Sequence, residues 1–80
     1  MYYVYVIESI NFGKHYSGFT EDLEKRLKEH NSGRTRSNKA YRPFKYIYTE
    51  EHSSIEDARK REVYFKTAAG RRYIKKILAQ

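Results

Sequence analysis

The chain has 80 residues and a formal charge of +7, with seventeen Lys and Arg against ten acidic residues and no cysteine. Its length fits one domain over 1–80 with little room for a second core; the missing thiols exclude disulfides, iron–sulfur clusters and cysteine-based zinc sites. No apolar run is long enough to cross a bilayer, and Met1–Ile7 carries no basic leader, so neither a membrane protein nor a signal peptide is expected and a reducing, cytoplasmic setting is.

Tyr2–Ser9, YYVYVIES, is β-branched and aromatic and predicts a first strand. Tyr3, Tyr5 and Ile7 then share one face, and Tyr2, Val4 and Val6 the other. Asn11-Phe12-Gly13 is turn material, and His15–Phe19 predicts a second, antiparallel strand in which Gly18 marks close packing or a bulge. Thr20 is the expected N-cap of a helix over Glu21–Asn31, with Glu21 and Asp22 favouring its first turn. Leu23, Leu27 and the aliphatic stems of Lys25 and Arg26 supply its buried side, and Gly33 its exit.

A loop over Arg34–Pro43 leads to a third strand, Phe44–Glu51. Ser53 is the expected cap of a second long helix, with Ser54 and Asp57 as an alternative register. Along Ser54–Ala69 the inward stripe runs Ile55, Ala58, Glu62, Phe65, Ala69. Gly70 is expected to interrupt this helix, and Tyr73–Leu78 to form a short last one. The order β-β-α-β-α-α implies an α+β fold with a three-stranded antiparallel or mixed sheet flanked by helices.

The chemistry gathers on few residues. Glu62 places a carboxylate on a face that should meet the core, which is costly unless a cation, a metal or hydrogen bonds compensate it. It can pair with Arg26 or another cation, or ligate Mg²⁺ or Mn²⁺, hard ions that prefer carboxylate and water oxygens. Arg26 and His30, one turn apart, share a helical face. A guanidinium can fork two phosphate oxygens and an imidazole can relay a proton, although Glu29 offers Arg26 a plain surface partner. Nine tyrosines mainly provide packing. Tyr5 and Tyr16, on neighbouring strands, are the two placed to pass a proton or hold a phosphate oxygen. Tyr5 is expected to face both long helices.

The charge points to a polyanion. Arg34, Arg36, Lys39 and Arg42 lie in a loop with no acid between Asn31 and Pro43, and Ala58–Gln80 carries eight basic residues against Glu62 alone. With Lys25, Arg71 and Arg72 these are the candidate nucleic-acid contacts. The basic tail lacks the broad apolar face of a membrane-surface helix.

In this arrangement the chain resembles the GIY-YIG nuclease superfamily, and within it the small UPF0213 or YhbQ-like group. Tyr3-Val4-Tyr5 stands at the first signature and Tyr16-Ser17-Gly18 at the second. The run Gly18–Gly33, GFTEDLEKRLKEHNSG, is the strongest match, and Arg42-Pro43-Phe44 and Lys60-Arg61-Glu62 extend it. The resemblance implies hydrolysis of DNA phosphodiester bonds with one divalent metal, leaving a 5′-phosphate and a 3′-hydroxyl. It assigns Tyr5 to activation of water, Tyr16 to the phosphate-binding centre, Arg26 to transition-state charge, His30 to proton transfer and Glu62 to the metal. A DNA repair or recombination setting, with a targeting or repair protein as partner, goes with it. Many active relatives also carry an Asn late in the domain; none follows Glu62 here. The competing expectation is therefore a nucleic-acid-binding module with weak or lost catalysis.

Overall fold

The computed structural model describes residues 1–35 and 38–79. They form β1 (Tyr2–Ser9), β2 (His15–Thr20), α1 (Leu23–Asn31), a single 3-10 turn (Lys39–Tyr41), β3 (Phe44–His52), α2 (Ile55–Phe65) and α3 (Ala68–Leu78). This is the α+β order that the sequence predicts. The sheet is wholly antiparallel, in the order β2-β1-β3, so the most apolar strand is the central one.

Strand alternation divides the core in two. Val4 and Val6 pack with Ala58, Phe65 and Ile74 under α2 and α3. Tyr5 and Ile7 pack with Phe44, and with Leu23 and Leu27 of α1. The face assignment of β1 holds. The expectation that both long helices converge on one centre facing Tyr5 does not, because successive β1 side chains leave opposite faces and each face takes its own helix layer. The irregularity in the sheet lies in β3, not at Gly18. Val6 pairs with Tyr48 and Ile7 with Tyr46, so Ile47 is the additional residue. Both Ile47 and Tyr48 thereby reach the α2–α3 side.

Local hydrogen bonds move the helix boundaries. Asp22, not Thr20, caps α1, accepting from the Lys25 amide at 3.0 Å, while the Thr20 hydroxyl accepts from the Asp22 amide at 3.1 Å. Lys25 is exposed rather than part of the buried side. Ser54 caps α2 through the amides of Glu56 and Asp57, the alternative register, and Ser53 does not. The helix ends at Phe65, so Ala69 is not part of its stripe, and Ile55 is exposed. Gly70 does not break a helix. It sits in the first turn of α3, whose cap is Thr67. A Cβ there would collide with the Tyr64 carbonyl and come within 2.7 Å of the Phe65 Cα. The missing side chain lets α3 fold back tightly over the end of α2.

A polar cluster joins β3 to α2. Glu50 accepts from the Tyr48 hydroxyl at 2.6 Å and from Arg61 Nε at 2.9 Å, and lies 2.6 Å from His52 Nε2. Burial pushes the Glu50 carboxyl up, but these hydrogen bonds outweigh it and hold it below the usual range. The Arg61 guanidinium also covers the rings of Phe65, Tyr73 and Tyr64 at 4.6, 5.0 and 5.1 Å.

Gly70→Ala should lower the unfolding free energy by about 1–3 kcal/mol through overpacking at the α2–α3 corner. Urea denaturation measures it; an unchanged midpoint would contradict this account of the corner.

Candidate active site

The site is built around the Tyr5 hydroxyl. Tyr5 lies at the middle of β1, opposite Gly18 of the edge strand β2. An added Cβ on Gly18 would stand 2.5 Å from that hydroxyl. The absent side chain therefore makes the space into which the phenol leans. From α1, Arg26 Nε donates to the Tyr5 oxygen at 3.2 Å, and His30 Nε2 lies 2.9 Å from it. The spacing of four residues brings both groups to the same phenol. Arg26 Nη1 also donates to Glu29 at 3.3 Å, leaving further guanidinium N–H groups to meet an anion.

His30 is buried, and its Nδ1 lies 3.1 Å from the Thr35 hydroxyl, which donates to Asn38 Oδ1 at 2.5 Å. Burial, with the positive charge of Arg26, pulls the imidazole below its ordinary pKa. Burial raises the Tyr5 phenol, and the Arg26 hydrogen bond and charge oppose that rise. Near neutral pH the resting pair is a neutral phenol beside a neutral imidazole. The Tyr46 hydroxyl, which donates to the Leu23 carbonyl at 2.6 Å, is pushed up to about 12 by burial and by Tyr5. It stays protonated and contributes packing, its ring edge-on to Tyr5 at 5.4 Å.

This cluster opens into a groove of about 1100 Å³ running along β2. Tyr5, Tyr16, Arg26, His30 and Glu62 all line it, so the structure brings the five candidate residues to one cavity. Tyr16 is half-buried and packs edge-on to Phe44 at 5.8 Å. Glu62 reaches the groove from α2. It is neither in open solvent nor paired with Arg26; its carboxylate accepts from Lys66 Nζ at 3.4 Å. Lys14, Lys66, Arg71, Arg72 and Lys75 make the walls strongly basic.

Of the candidate nucleic-acid contacts, Arg71 and Arg72 line the groove. Lys25, Arg34, Lys39 and Arg42 are exposed and lie outside its lining, and Arg36 falls outside the described residues. Sequence reasoning missed Lys14 and Lys66 as lining residues. Thr35 and Asn38 fell within the loop expected over Arg34–Pro43 and were given no role of their own. Their polar side chains near His30 in sequence were the available signal, but nothing local fixed which atom they would meet.

The donor set suits one kind of metal. Among the described residues no three His, Cys, Asp or Glu side chains gather into a cage, and Glu62 is the sole carboxylate lining the groove. One partly exposed carboxylate among bases fits a hard divalent ion that keeps most of its water and shares phosphate oxygens.

A three-stranded antiparallel sheet that sets a tyrosine, an arginine and a histidine on one hydroxyl, with a glutamate across the groove, defines a GIY-YIG-type domain. The model of the GIY-YIG catalytic domain matches residues 1–76. A UPF0213 protein of Staphylococcus saprophyticus is 32% identical over 77 residues, covering 95% of this chain and 93% of its own. One from Bacillus licheniformis is 41% identical over 66 residues, covering 81% and 67%. The solution NMR structure of a UPF0213 protein from Bacillus halodurans superimposes with a TM-score of 0.58 at 29% identity, over 100% of this chain and 86% of that one. The chain belongs to the GIY-YIG nuclease family, in its UPF0213 group. Among the described residues no helix is long and apolar enough to cross a membrane.

The His30 shift has a stability consequence. In the unfolded chain the ring titrates near 6.5, and in the fold below it. Between those values the unfolded chain binds a proton that the folded one does not. The stabilisation is complete above about 6.5 and is lost as pH falls through the folded value. An NMR titration should place His30 below 6.5, with unfolding free energy falling over the same acid window. A His30 titrating at or above 6.5 would contradict the burial argument.

Proposed function

We propose that the chain is a divalent-metal-dependent endonuclease that hydrolyses DNA phosphodiester bonds, in a repair or recombination setting. The observation that carries this reading is the Tyr5 hydroxyl held between Arg26 Nε and His30 Nε2 in a basic groove that Glu62 also lines.

The basic walls hold the DNA backbone, and Arg26 with Tyr16 receives the scissile phosphate. Tyr5 is a poor base alone because its phenol is neutral. It acts by exchange: as it takes a proton from water, its own proton passes to the neutral His30. The water oxygen bonds to phosphorus and the bond to the 3′ oxygen breaks. That oxygen leaves with the electron pair and takes a proton from solvent, giving a 3′-hydroxyl and a 5′-phosphate. Arg26 faces the charge that grows on the phosphoryl oxygens. Glu62 would hold Mg²⁺ or Mn²⁺, which when bound supplies positive charge at the phosphate and the leaving oxygen.

One observation favours the second reading, a nucleic-acid-binding module with weak or lost catalysis. No Asn follows Glu62, and the two residues that could stand in for it, Thr67 and Tyr73, serve the fold. Thr67 caps α3 and Tyr73 stacks on Phe65 at 6.3 Å.

Glu62→Ala should abolish Mg²⁺- or Mn²⁺-dependent nicking of single-stranded, branched and duplex DNA while binding in a mobility assay persists. Equal cleavage by this variant and wild type would reject the metal role. Arg26→Ala should slow single-turnover cleavage by about 10²–10³-fold, the usual size for lost oxyanion stabilisation. An unchanged rate would remove Arg26 from the chemistry. Wild type that binds all three DNA forms and cuts none would establish the second reading.

A further inference from the structure

We infer that Thr35 and Asn38 are positioning residues that hold His30 in one tautomer, with the proton on Nδ1 and the bare lone pair on Nε2 aimed at Tyr5. The inference rests on the endonuclease reading for its consequence, but not for its geometry.

The tautomer follows from the number of protons the cluster has to share. The Thr35 hydroxyl has one, and it is donated to Asn38 Oδ1 at 2.5 Å. Thr35 therefore has only lone pairs to offer His30 Nδ1, 3.1 Å away. Nδ1 must be the donor, and a neutral imidazole carrying its proton there has a bare Nε2. Nε2 lies 2.9 Å from the Tyr5 hydroxyl, so it accepts the phenol proton. The lone pairs of the Tyr5 oxygen are then left for the Arg26 N–H at 3.2 Å and for a water molecule in the groove. Every hydrogen bond from Asn38 to Arg26 thus has one direction, and that direction prepares the proton exchange that cleavage requires. With the opposite tautomer, Nε2–H would point at the phenol oxygen and could take no proton from it.

The chain of bonds is built rather than incidental. Asn38 and His30 are both buried, 4% exposed each. The backbone fixes the Asn38 end: its amide donates to the Thr35 carbonyl at 3.3 Å, and its carbonyl accepts from the Tyr41 amide at 3.0 Å. A buried asparagine needs partners for its side chain, and here the amide oxygen receives the Thr35 proton. Thr35 and Asn38 line the same groove, and the hydrogen bonds of their side chains run to His30.

The test reads the ring nitrogens of His30 directly, by ¹⁵N NMR of the free protein at a pH where the imidazole is neutral. Wild type should show Nδ1 protonated and Nε2 bare. Thr35→Val keeps the shape but has no hydroxyl, and should shift His30 towards the Nε2–H form. Its single-turnover cleavage should fall by about 10- to 100-fold, the usual cost of losing an orienting partner, with DNA binding unchanged. Thr35→Ser restores the hydroxyl and should restore both signals. Wild-type His30 protonated at Nε2, or a tautomer that Thr35→Val leaves unchanged, would overturn the inference. The wild-type spectrum needs neither a variant nor cleavage. If no DNA is cut, the endonuclease reading fails while the tautomer still decides this one.

Discussion

The arrangement depends on one hydroxyl in the right place. Tyr5 comes from the central strand, Arg26 and His30 from a single face of α1, and all three meet because Gly18 has no side chain. Burial keeps the phenol protonated and the imidazole neutral. Each shift opposes charge formation at rest. Together they leave a proton donor and a proton acceptor in contact, which is the condition for passing a proton through the pair.

The two-sided sheet explains how so short a chain can carry such a site. One face, under α2 and α3, contains the larger apolar cluster, with Val4, Val6, Phe65 and Ile74. The other face, under α1, is mostly aromatic, and its tyrosines bring polar ends into a packed layer. Glu62 belongs to the first layer yet lines the same groove as Tyr5, because the groove follows the edge strand β2, where side chains of both layers come within reach. Lys66 offsets its charge at 3.4 Å.

Much of this was legible in the sequence, and the failures have physical causes. Alternation in YYVYVIES fixed the two faces of β1, and the spacing of Arg26 and His30 placed them together, since both signals are local periodicities. The carboxylate in the α2 stripe drew notice to Glu62, which lines the groove, but its pairing with Lys66 could not be told from a pairing with Arg26 without the third dimension. Gly70 was misread as a breaker because its role is tertiary: it admits the Tyr64 carbonyl at a helix crossing. Thr20 lost the cap of α1 to Asp22 because two good capping residues lie close together and only the path of the chain selects one. Thr35 and Asn38 were hidden for another reason. The atom they meet is set by a loop that returns over α1, and no period in the sequence encodes that.

The central claim is that the Tyr5 hydroxyl, and not merely its ring, is what the surrounding structure is arranged to use. Tyr5→Phe tests it most directly, since the ring keeps its place in the core and only the oxygen is lost. Single-turnover cleavage of metal-loaded protein on DNA is the measurement, with the melting transition and DNA binding followed in parallel. The account predicts a folded protein that still binds DNA and cleaves at least about 10²-fold more slowly, the lower end for a lost general acid–base group. Cleavage at the wild-type rate by Tyr5→Phe would contradict it.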